Sequence, residues 1–420
     1  MQELMIFLCR SLLSWLGIQI CLALVFLWYV RSHPRNLLPD EQLPKAAVIL
    51  CLRGADPFLP HCVRSLLQQN YPEYDLKLIV DSQDDPSYKI VQEAIAEIGA
   101  TNVQIEILRA VRHNCSLKCS ALVQAVSDLD DSYKVVALVD ADTIVHPYWL
   151  RELVSPLADK KIGVTTGNRW FVPTGKYWGS LVRYTGNLSS VVQMFLFQVP
   201  WGGSLAIKRE VLEKIELIDK WGQVFNDDML LTKILRRHKL KVKFVPTLLI
   251  TNREEITVVN LLDSLKRLIV SARLYHPNWL AIIGDSVSSI LFPTLVVLLI
   301  FTSLLDTKWY VAGLLFTCYC IYTVGLLLLM LLMELGIQPI IQHQGQVTTQ
   351  LSLRTIFRML IAIPLTQWVY GIVMLSSCFG ASTIKWRGII YRIQNSENIR
   401  LLEYRPYQWL DQPIDSKHSL

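Results

Sequence analysis

Hydrophobic and polar residues form two kinds of pattern along this chain of 420 residues. Four stretches are almost entirely apolar, and each is long enough to cross a bilayer as a helix. They are Leu12–Val30, Ile282–Leu305, Trp309–Leu335 and Ile356–Cys378. The segment between the first and the second stretch mixes polar residues with short apolar runs. The pattern therefore predicts a soluble domain that is held at a membrane at both of its ends.

The first apolar stretch predicts a retained anchor over residues 1–30, because it lacks a small-residue cleavage site and ends in the sequence WYVRSHPR. Basic residues follow this stretch and precede the second one. Cytoplasmic flanks of membrane spans are enriched in Lys and Arg, so this distribution predicts that the soluble domain lies on the cytoplasmic side. The basic residues are Arg31, Arg35, Lys45, Lys266, Arg267 and Arg273.

The C-terminal region, residues 281–380, is predicted to hold about three membrane helices, followed by a basic tail over residues 381–420. Strict alternation of the spans would place this tail outside, against the tendency of basic segments to remain inside. One C-terminal stretch is therefore either a full span, a hairpin or an interfacial helix. Pro293 and Pro364 are the positions at which a span is expected to break.

The soluble segment alternates short apolar runs with stretches of helical spacing. The apolar runs are residues 46–52, 76–80, 103–108 and 134–139. Continuous apolar strands separated by helices are typical of a mostly parallel sheet that is covered on both faces. Such α/β sheets bind ligands beyond the carboxyl ends of their strands, so residues directly after a strand are the candidates for a site.

Composition and charge support a membrane protein and argue against a nucleic-acid-binding one. The chain is 52% hydrophobic with a mean hydropathy of +0.34, which is high for a soluble protein of this length. Its net charge of +6 comes without a dense block of Lys and Arg interleaved with aromatic residues, so we do not expect nucleic-acid binding. The scattered cysteines have no spacing typical of a zinc site.

Three groups of carboxylates pass the strand-end criterion. They are Asp81, Asp84 and Asp85 after the second strand, Asp140 and Asp142 after the fourth, and Asp227 and Asp228 at a helix start. Any one of them alone is also typical of a helix cap or a solvated turn. In extended backbone the two residues of the D-x-D project to the same side, and Mg²⁺ and Mn²⁺ prefer carboxylate and phosphate oxygens. Together they predict half of a metal site that a diphosphate completes.

Two further features have both a structural and a functional interpretation. Gly202 and Gly203 precede a short apolar run, where they provide either a tight turn or close approach of the backbone to a ligand. Lys118 begins a predicted helix, where it is either a surface lysine or part of an anion site. A glycine pair or a lysine does not indicate a site by its residue type. Only the positions of these residues along the chain associate them with the carboxylates.

The order of these motifs resembles that of the family-2 glycosyltransferases, in particular the membrane-anchored branch that is ceramide-glucosyltransferase-like and hopanoid-associated. The segment "CLRGADPFLPHCVRSLLQQNYPEYDLKLIVDSQDDPS" resembles K-G-x-D-P, Y-P and D-x-x-D-P. "KCSAL" resembles K-x-x-x-L, "VDADT" the D-x-D, "WGGSLAIKREVL" the G-G-S segment and "NDDMLL" the E-D segment. "IKWRGIIYRI" resembles the W-R-G-x-x-Y that follows the last span. The similarity covers most of residues 46–275 and the tail.

The resemblance implies a GT-A fold, which is Rossmann-like, over residues 31–256 together with transmembrane helices. It also implies a nucleotide-sugar donor that is usually a UDP-sugar, a Mg²⁺ or Mn²⁺ ion, and inversion at the anomeric carbon. The implied roles fall on residues that match the motifs. For the donor, Asp84 or Asp85 would contact the nucleoside with Lys118 near it, and Asp140 would bind the nucleotide. Asp140 and Asp142 would hold the metal, and Arg267 or Arg273 would neutralise the diphosphate. Gly202, Gly203 and Ser204 would line the donor–acceptor junction, and Asp228 would be the general base.

Two departures from the family pattern affect the expected acceptor. The E-D pair is Asp227–Asp228, a conservative change, whereas the Q-x-x-R-W motif is matched only by Ser264, Arg267 and Leu268. The tryptophan that stacks a growing polymer in that family is absent. The resemblance therefore favours transfer of a hexose to the hydroxyl of a membrane lipid, which gives a glycolipid. A membrane polysaccharide synthase is the alternative enzyme, and a non-catalytic membrane scaffold is the alternative from another class.

Residues 257–280 combine apolar positions at helical spacing with basic residues. This pattern is typical of an interfacial helix that holds an active site against a leaflet, and equally of a helix packed on the sheet. Both interpretations place the segment between the catalytic domain and the membrane.

Overall fold

A computed structural model describes residues 2–33, 35–378 and 382–407 of the chain. Residues 381 and 408–420 of the predicted basic tail lie outside the described residues. The rest forms an α/β domain, a set of long apolar helices and a small C-terminal sheet.

The α/β domain is built on a seven-stranded sheet with the strand order β3-β2-β1-β4-β6-β5-β7. β6 runs antiparallel to both of its neighbours, and every other neighbouring pair is parallel. The predicted class, a mostly parallel α/β sheet, is therefore confirmed. The strands are β1 Ala46–Leu52, β2 Tyr74–Val80, β3 Val103–Ile107, β4 Val135–Val139, β5 Ile162–Phe171, β6 Ser204–Lys208 and β7 Lys241–Asn252.

Helices cover both faces of this sheet, because successive residues of each apolar strand point to opposite sides. Ile49 and Leu138 pack into one core, while Leu50 and Val139 pack into the other. The helices are α1 Gln2–Ser32, α2 Leu59–Leu67, α3 Pro86–Ile98, α4 Leu117–Ser127, α5 Trp149–Val154, α6 Trp178–Phe197, α7 Arg209–Lys214, α8 Leu217–Trp221, α9 Met229–Arg237, α10 Val258–Tyr275, α11 Trp279–Leu305, α12 Trp309–His343 and α13 Leu353–Ser377.

Four of these helices, α1, α11, α12 and α13, are long and apolar enough to cross a membrane. The expected breaks at Pro293 and Pro364 were wrong, because each proline lies inside a continuous helix, α11 or α13. Each proline removes one backbone hydrogen bond, but the apolar packing around it retains the helix on both sides.

A buried glutamate joins α12 to the α/β domain. Glu334 has no exposed surface, and its Oε2 accepts hydrogen bonds from Trp170 Nε1 at 3.0 Å and from Tyr184 Oη at 2.7 Å. A buried carboxylate is tolerated when such donors satisfy it. The contact connects α12 to the end of β5 and to α6.

The two ends of α13 both lie beside the α/β domain. Near its start, Arg358 Nη1 donates to the carbonyl oxygen of Gly175, and at its end the carbonyl of Ser377 accepts from Arg273 Nη1 at 2.8 Å. Between these ends the helix packs along α6 and α10. Its opposite side exposes a continuous row of apolar side chains: Leu353, Phe357, Ile361, Leu365, Trp368, Ile372 and Leu375.

The C-terminal segment 382–407 forms a three-stranded antiparallel sheet that lies on the α/β domain. Its strands are β8 Ser382–Trp386, β9 Ile389–Ile393 and β10 Ile399–Glu403. Ile384, Ile389 and Tyr391 belong to the same core as α4, and Tyr391 Oη accepts from the backbone N–H of Leu117 at 3.1 Å. Strict alternation of the spans would have separated this part of the tail from the domain, but the structure brings the two together.

A pair of helical glycines tests the packing of α6 on the start of α10. A Cβ at Gly179 would overlap the carbonyl groups of Ile256 and Thr257, whereas a Cβ at Gly284 in α11 would meet no atom within 4 Å. Alanine favours a helix over glycine by up to about 1 kcal/mol, so Gly284→Ala should leave the melting temperature unchanged or raise it. Gly179→Ala should lower it by a few degrees, because backbone cannot move aside as a side chain can.

The measurement is thermal unfolding of the purified protein in detergent, with Gly284→Ala as the matched control. Equal melting temperatures for the two variants would contradict the packing of α6 described above.

Candidate active site

A cavity of 540 Å³ lies at the carboxyl ends of the central strands. β1, β2 and β4 supply Arg53, Asp81 and Asp140 to it, either from their last residues or from those directly after them. This is the edge at which parallel α/β sheets bind ligands, and five of the seven predicted carboxylates converge there. α6, α10 and α13 line the other side of the cavity with apolar side chains, such as Met194, Leu265 and Tyr370, and with polar ones, such as Asn187 and Ser264.

Every oxygen of the D-x-D carboxylates has a polar contact within the protein. Asp140 Oδ1 lies 2.9 Å from Lys118 Nζ, and its Oδ2 lies 3.2 Å from Arg169 Nη2. The same Arg169 nitrogen lies 3.3 Å from Asp142 Oδ1, while Asp142 Oδ2 accepts from Asn252 Nδ2 at 2.9 Å. The two side chains therefore face one cation together, although the extended backbone that the prediction assumed is wrong: the residues lie in a turn, in which the N–H of Thr143 donates to the carbonyl oxygen of Asp140 at 3.1 Å.

The charges around this pair affect its two members differently. Burial opposes ionisation of Asp140, but the attraction of Lys118 and Arg169 outweighs burial and lowers its pKa. Burial dominates at Asp142 and raises its pKa, and repulsion from Asp140 adds to the effect. Asp140 is therefore the more strongly ionised residue of the pair.

The second acidic pair is joined to the first through Lys118, whose Nζ also lies 3.1 Å from Asp227 Oδ2. Asp228 Oδ2 accepts from the backbone N–H of Gly202 at 2.6 Å. Its Oδ1 is buried and has no hydrogen-bond partner within the described part of the chain. Burial and repulsion from Asp227 raise the pKa of Asp228 to about 7. A carboxyl group with this pKa exchanges protons readily near neutral pH.

The glycines of the G-G-S segment make room for these carboxylates. A Cβ at Gly202 would overlap the Asp227 carboxylate, and one at Gly203 would lie 2.6 Å from Asp140 Oδ2. Ser204 is fully buried, and its Oγ accepts from Trp149 Nε1 at 2.8 Å. The backbone of this segment therefore approaches the acidic side chains, and it is Trp201, just before it, that lines the cavity.

The structure places neither Asp84 nor Asp85 on the cavity. Asp84 is exposed, and Asp85 caps α3 while accepting from the backbone N–H of Gly54 at 2.9 Å. Asp81 lines the cavity instead, where it pairs with Arg53 and accepts from Tyr404 Oη at 2.9 Å. Asp81 lines the cavity because it directly follows the end of β2 at Val80, whereas Asp84 lies in the turn that leads to α3, which begins at Pro86.

Of the two arginines predicted near the diphosphate, the structure brings only Arg267 to the cavity. Its guanidinium lies 5.6 Å from the ring centre of Trp386. Arg273 turns away from the cavity, toward the carbonyl of Ser377 and the hydroxyl of Ser382. The two residues lie six positions apart on α10, which is not a multiple of the helical repeat, so they project from different sides.

Sequence reasoning missed four polar residues that the fold brings to the acidic groups: Arg169, Asn252, Asp56 and Arg387. Arg387 Nη2 lies 3.3 Å from Asp56 Oδ2, and Arg387 sits with a φ of 44° at the tip of the β8–β9 hairpin. Burial, with repulsion from Asp142, raises the pKa of Asp56 to about 6. The available signal was the W-R-G sequence of the tail, which was matched to the family without a role. Asn252 and Arg169 carried no sequence signal.

The donor set partly fits a divalent metal ion. The described ranges contain no group of three or more His, Cys, Asp or Glu side chains that could hold one. Asp140 and Asp142 offer only carboxylate oxygens, which suits Mg²⁺ or Mn²⁺ when substrate phosphates complete the coordination. An ion between them would take the place that the Arg169 guanidinium occupies.

A mostly parallel α/β sheet with acidic pairs at its carboxyl edge, beside four helices long and apolar enough to cross a membrane, is the arrangement that the resemblance to membrane-anchored glycosyltransferases implies. A family model described as "Glycosyl transferase family 21" matches residues 12–399. The chain belongs to this family, which confirms the resemblance to the ceramide-glucosyltransferase branch.

Individual relatives are similar over short segments. A ceramide glucosyltransferase of Pyricularia oryzae is 34% identical over 83 residues, which are 19% of this chain and 17% of the relative. One of Candida albicans is 34% identical over 84 residues, 19% of this chain and 15% of the relative. The chain thus spans less than a fifth of the length of these two curated relatives.

Among solved structures, the mannosyltransferase PcManGT from Pyrobaculum calidifontis, in complex with GDP-Man and Mn²⁺, is similar at 13% identity and a TM-score of 0.47. The similarity covers 87% of this chain and 99% of that one. A similarity this low adds no argument about the site or its ligands.

Lys118→Met tests whether this lysine holds the two acidic pairs together. Removal of the ammonium leaves Asp140 and Asp227 buried without their shared cation, which should cost about 3 kcal/mol of unfolding free energy at neutral pH. The lowered pKa of Asp140 contributes stability above its unfolded value, and this stability is lost as the pH falls through the folded value.

The loss in Lys118→Met should therefore be largest at neutral pH and smaller in acid, where the uncompensated carboxylates take up protons. The measurement is thermal unfolding from about pH 7.5 to about pH 3, a range that extends below 3.8, the value from which the pKa of Asp140 is lowered. Lys160→Met, at an exposed lysine, is the control. A destabilisation that does not change with pH would contradict the role of Lys118.

Proposed function

We propose that the chain transfers a hexose from a nucleotide sugar, a UDP-hexose, to the hydroxyl of a membrane lipid with inversion at the anomeric carbon. The observation that carries the proposal is Asp228. Its buried, unpartnered Oδ1 and its pKa of about 7 occur at the cavity that also holds the D-x-D.

Asp228 acts as the general base. An inverting transfer is a single displacement at C1 of the sugar, so the acceptor hydroxyl must lose its proton as it attacks. The hydrogen bond from Gly202 fixes one oxygen of Asp228 and leaves the other available to that hydroxyl. No covalent intermediate is required, so no nucleophilic Ser or Cys is needed.

The donor binds along the strand ends, with its nucleoside toward Asp81 and its diphosphate toward Asp140 and Asp142. Arg267 and Arg387 line the cavity near this pair and stabilise the negative charge that develops on the departing diphosphate. Repulsion from Arg387, together with burial, lowers the pKa of Arg267. Two arginines that repel one another favour the binding of an anion between them.

Asp140 and Asp142 are the residues that would hold a Mg²⁺ or Mn²⁺ ion, which when bound would neutralise charge on the donor's diphosphate. Lys118 keeps Asp140 ionised for this role and at the same time pairs with Asp227. The acidic pair that binds the donor and the acidic pair that contains the base are thus held at a constant separation.

The acceptor enters from the side of the cavity that α6, α10 and α13 line. The lining there combines apolar side chains, Met194, Leu265 and Tyr370 among them, with polar ones, whereas the strand edge opposite is charged. A lipid with a hydroxylated headgroup has the same two-part character. The α10 segment is the predicted interfacial helix, and Leu268 stands where a polymer-stacking tryptophan would be expected.

Three helices cross the membrane in this proposal, and α13 lies at its surface. α1, α11 and α12 cross, so the α/β domain and the tail sheet share the cytoplasmic side, where basic residues flank the spans. Both ends of α13 contact the α/β domain, and its exposed apolar row faces the lipid. This arrangement accounts for the tail sheet lying on the domain.

Asp228→Asn tests the base. In membranes supplied with a panel of UDP-hexoses, lipids and Mn²⁺, mass analysis should detect one glycolipid with the wild-type chain. The variant should lose about a hundredfold or more in kcat, because an amide cannot accept the proton. Asp219→Asn, at an exposed aspartate of α8, should keep its activity.

Wild-type kcat/KM should rise with pH through about 7, because the base is the ionised form of Asp228. A ladder of polymer products would instead support the polysaccharide synthase. Full activity in Asp228→Asn would exclude this residue as the base, and an absence of transfer or hydrolysis with every UDP-hexose would exclude the donor.

Single cysteines test the topology. A membrane-impermeant thiol reagent should reach Ser352→Cys and Ser376→Cys, at the two ends of α13, from the same side as Lys160→Cys in the α/β domain. It should reach Asp306→Cys, between α11 and α12, from the opposite side. Labelling is scored above the signal of the unsubstituted chain. Opposite sidedness of positions 352 and 376 would mean that α13 crosses the membrane.

A further inference from the structure

The Arg169 guanidinium lies between the two D-x-D carboxylates, where its Nη2 is 3.2 Å from Asp140 Oδ2 and 3.3 Å from Asp142 Oδ1. This arginine lies outside the motifs that resemble the family. It follows Gly167 and Asn168 on β5, two strands away from β4 in the sheet order. One protein cation therefore bridges both carboxylates of the pair.

The local backbone of β5 aims Arg169 at this position. The pairing of β5 with β7 shifts register between Thr166 and Asn168, which marks a bulge. Bulges turn side chains out of the regular alternation and are frequent beside active sites. A Cβ at Gly167 would lie 2.8 Å from Ser204 Oγ and 2.9 Å from Leu248 Cβ, so the bulge requires glycine. The bulge in β5 thus fixes the orientation of Arg169.

Two aromatic rings contact the guanidinium in the same position in which it pairs with the carboxylates. Its central carbon lies 4.8 Å from the ring centre of Trp201 and 5.7 Å from that of Phe171. Arginine stacks on aromatic faces and is more weakly hydrated than an ammonium group. It can therefore leave the carboxylates without leaving the cavity.

We propose that Arg169 is an internal counter-ion of the Asp140–Asp142 pair, and that a divalent metal ion binds the pair only by displacing it. The inference rests on the proposed function, in which this pair holds the metal. The two cations cannot share the same carboxylate oxygens at contact distance, because their mutual repulsion would cancel the attraction of each for the pair.

The displaced guanidinium needs an anion, and the donor's diphosphate supplies one. Binding of the metal and binding of the donor should therefore assist each other in the wild-type chain, and thermodynamic linkage makes this assistance equal in both directions. Without Arg169 the metal would no longer compete with an internal cation, so it should bind more tightly on its own and gain less from the diphosphate.

The experiment measures Mn²⁺ binding to the purified full-length chain in detergent, by electron paramagnetic resonance of free Mn²⁺, with and without UDP. Arg169→Met should bind Mn²⁺ alone at least about tenfold more tightly than the wild type. UDP should tighten Mn²⁺ binding by a smaller factor in this variant than in the wild type. Arg169→Lys, which keeps one charge but lacks the fork that bridges both carboxylates, should fall between them.

Arg267→Met is the matched control, because it removes the same charge from the same cavity but from an arginine with no ion pair to either carboxylate. It should change the affinity for Mn²⁺ alone by less than about threefold. Asp142→Asn marks the metal site and should abolish binding in both the wild-type and the Arg169→Met backgrounds.

Equal or weaker Mn²⁺ affinity in Arg169→Met, at an unchanged melting temperature, would overturn the inference while leaving the metal site in place. If Arg169→Met does not fold, the comparison of Arg169→Lys with the wild type decides, and equal affinity there also overturns it. Unchanged binding in Asp142→Asn would instead remove the metal from this pair, and with it both the inference and that part of the proposed function.

Discussion

The site depends on one buried cation, the ammonium of Lys118. It contacts Asp140 after β4 and Asp227 before α9, so it joins two chain segments that are far apart in sequence. Without it, the acidic edge would hold several buried carboxylates with too little positive charge, and burial would drive them to the neutral form. The difference in pKa between Asp140 and Asp228 follows, because Lys118 and Arg169 together outweigh burial at the first, whereas burial and repulsion from Asp227 prevail at the second.

Close backbone approach is the second constraint, and it explains the glycines. Gly202 places its N–H on Asp228 and leaves no room for a side chain beside Asp227. Gly167 permits the bulge that turns Arg169 toward the D-x-D. Both glycines therefore position charged groups, and neither needs to touch a substrate to matter for the chemistry. The C-terminal sheet also positions a charged group, because the tip of its β8–β9 hairpin brings Arg387 to Asp56.

Much of the fold was predictable, because apolar runs and helical spacing report burial directly. The first four strands and the four long apolar helices lie close to where the pattern predicted them. It was less predictable which carboxylate of the second group lies at the cavity. Asp81, Asp84 and Asp85 share one short segment, and only the point at which β2 ends decides that Asp81 faces the cavity. The sequence also did not distinguish Arg267 from Arg273. Their angular positions on α10 decide that Arg267 lines the cavity and that Arg273 does not.

The sequence by itself determined the class of the protein and the acidic character of its candidate site, because strand-end carboxylates, paired glycines and membrane-length apolar runs occur in an order that resembles the family's. The tertiary structure alone decided which cations meet those carboxylates. Arg169 and Arg387 reach the acidic edge from a bulged strand and from the C-terminal hairpin, neither of which lies near the D-x-D in sequence. Electrostatic interaction depends on the distance between charges in space. A sequence pattern indicates such distances only between residues of the same helix or strand.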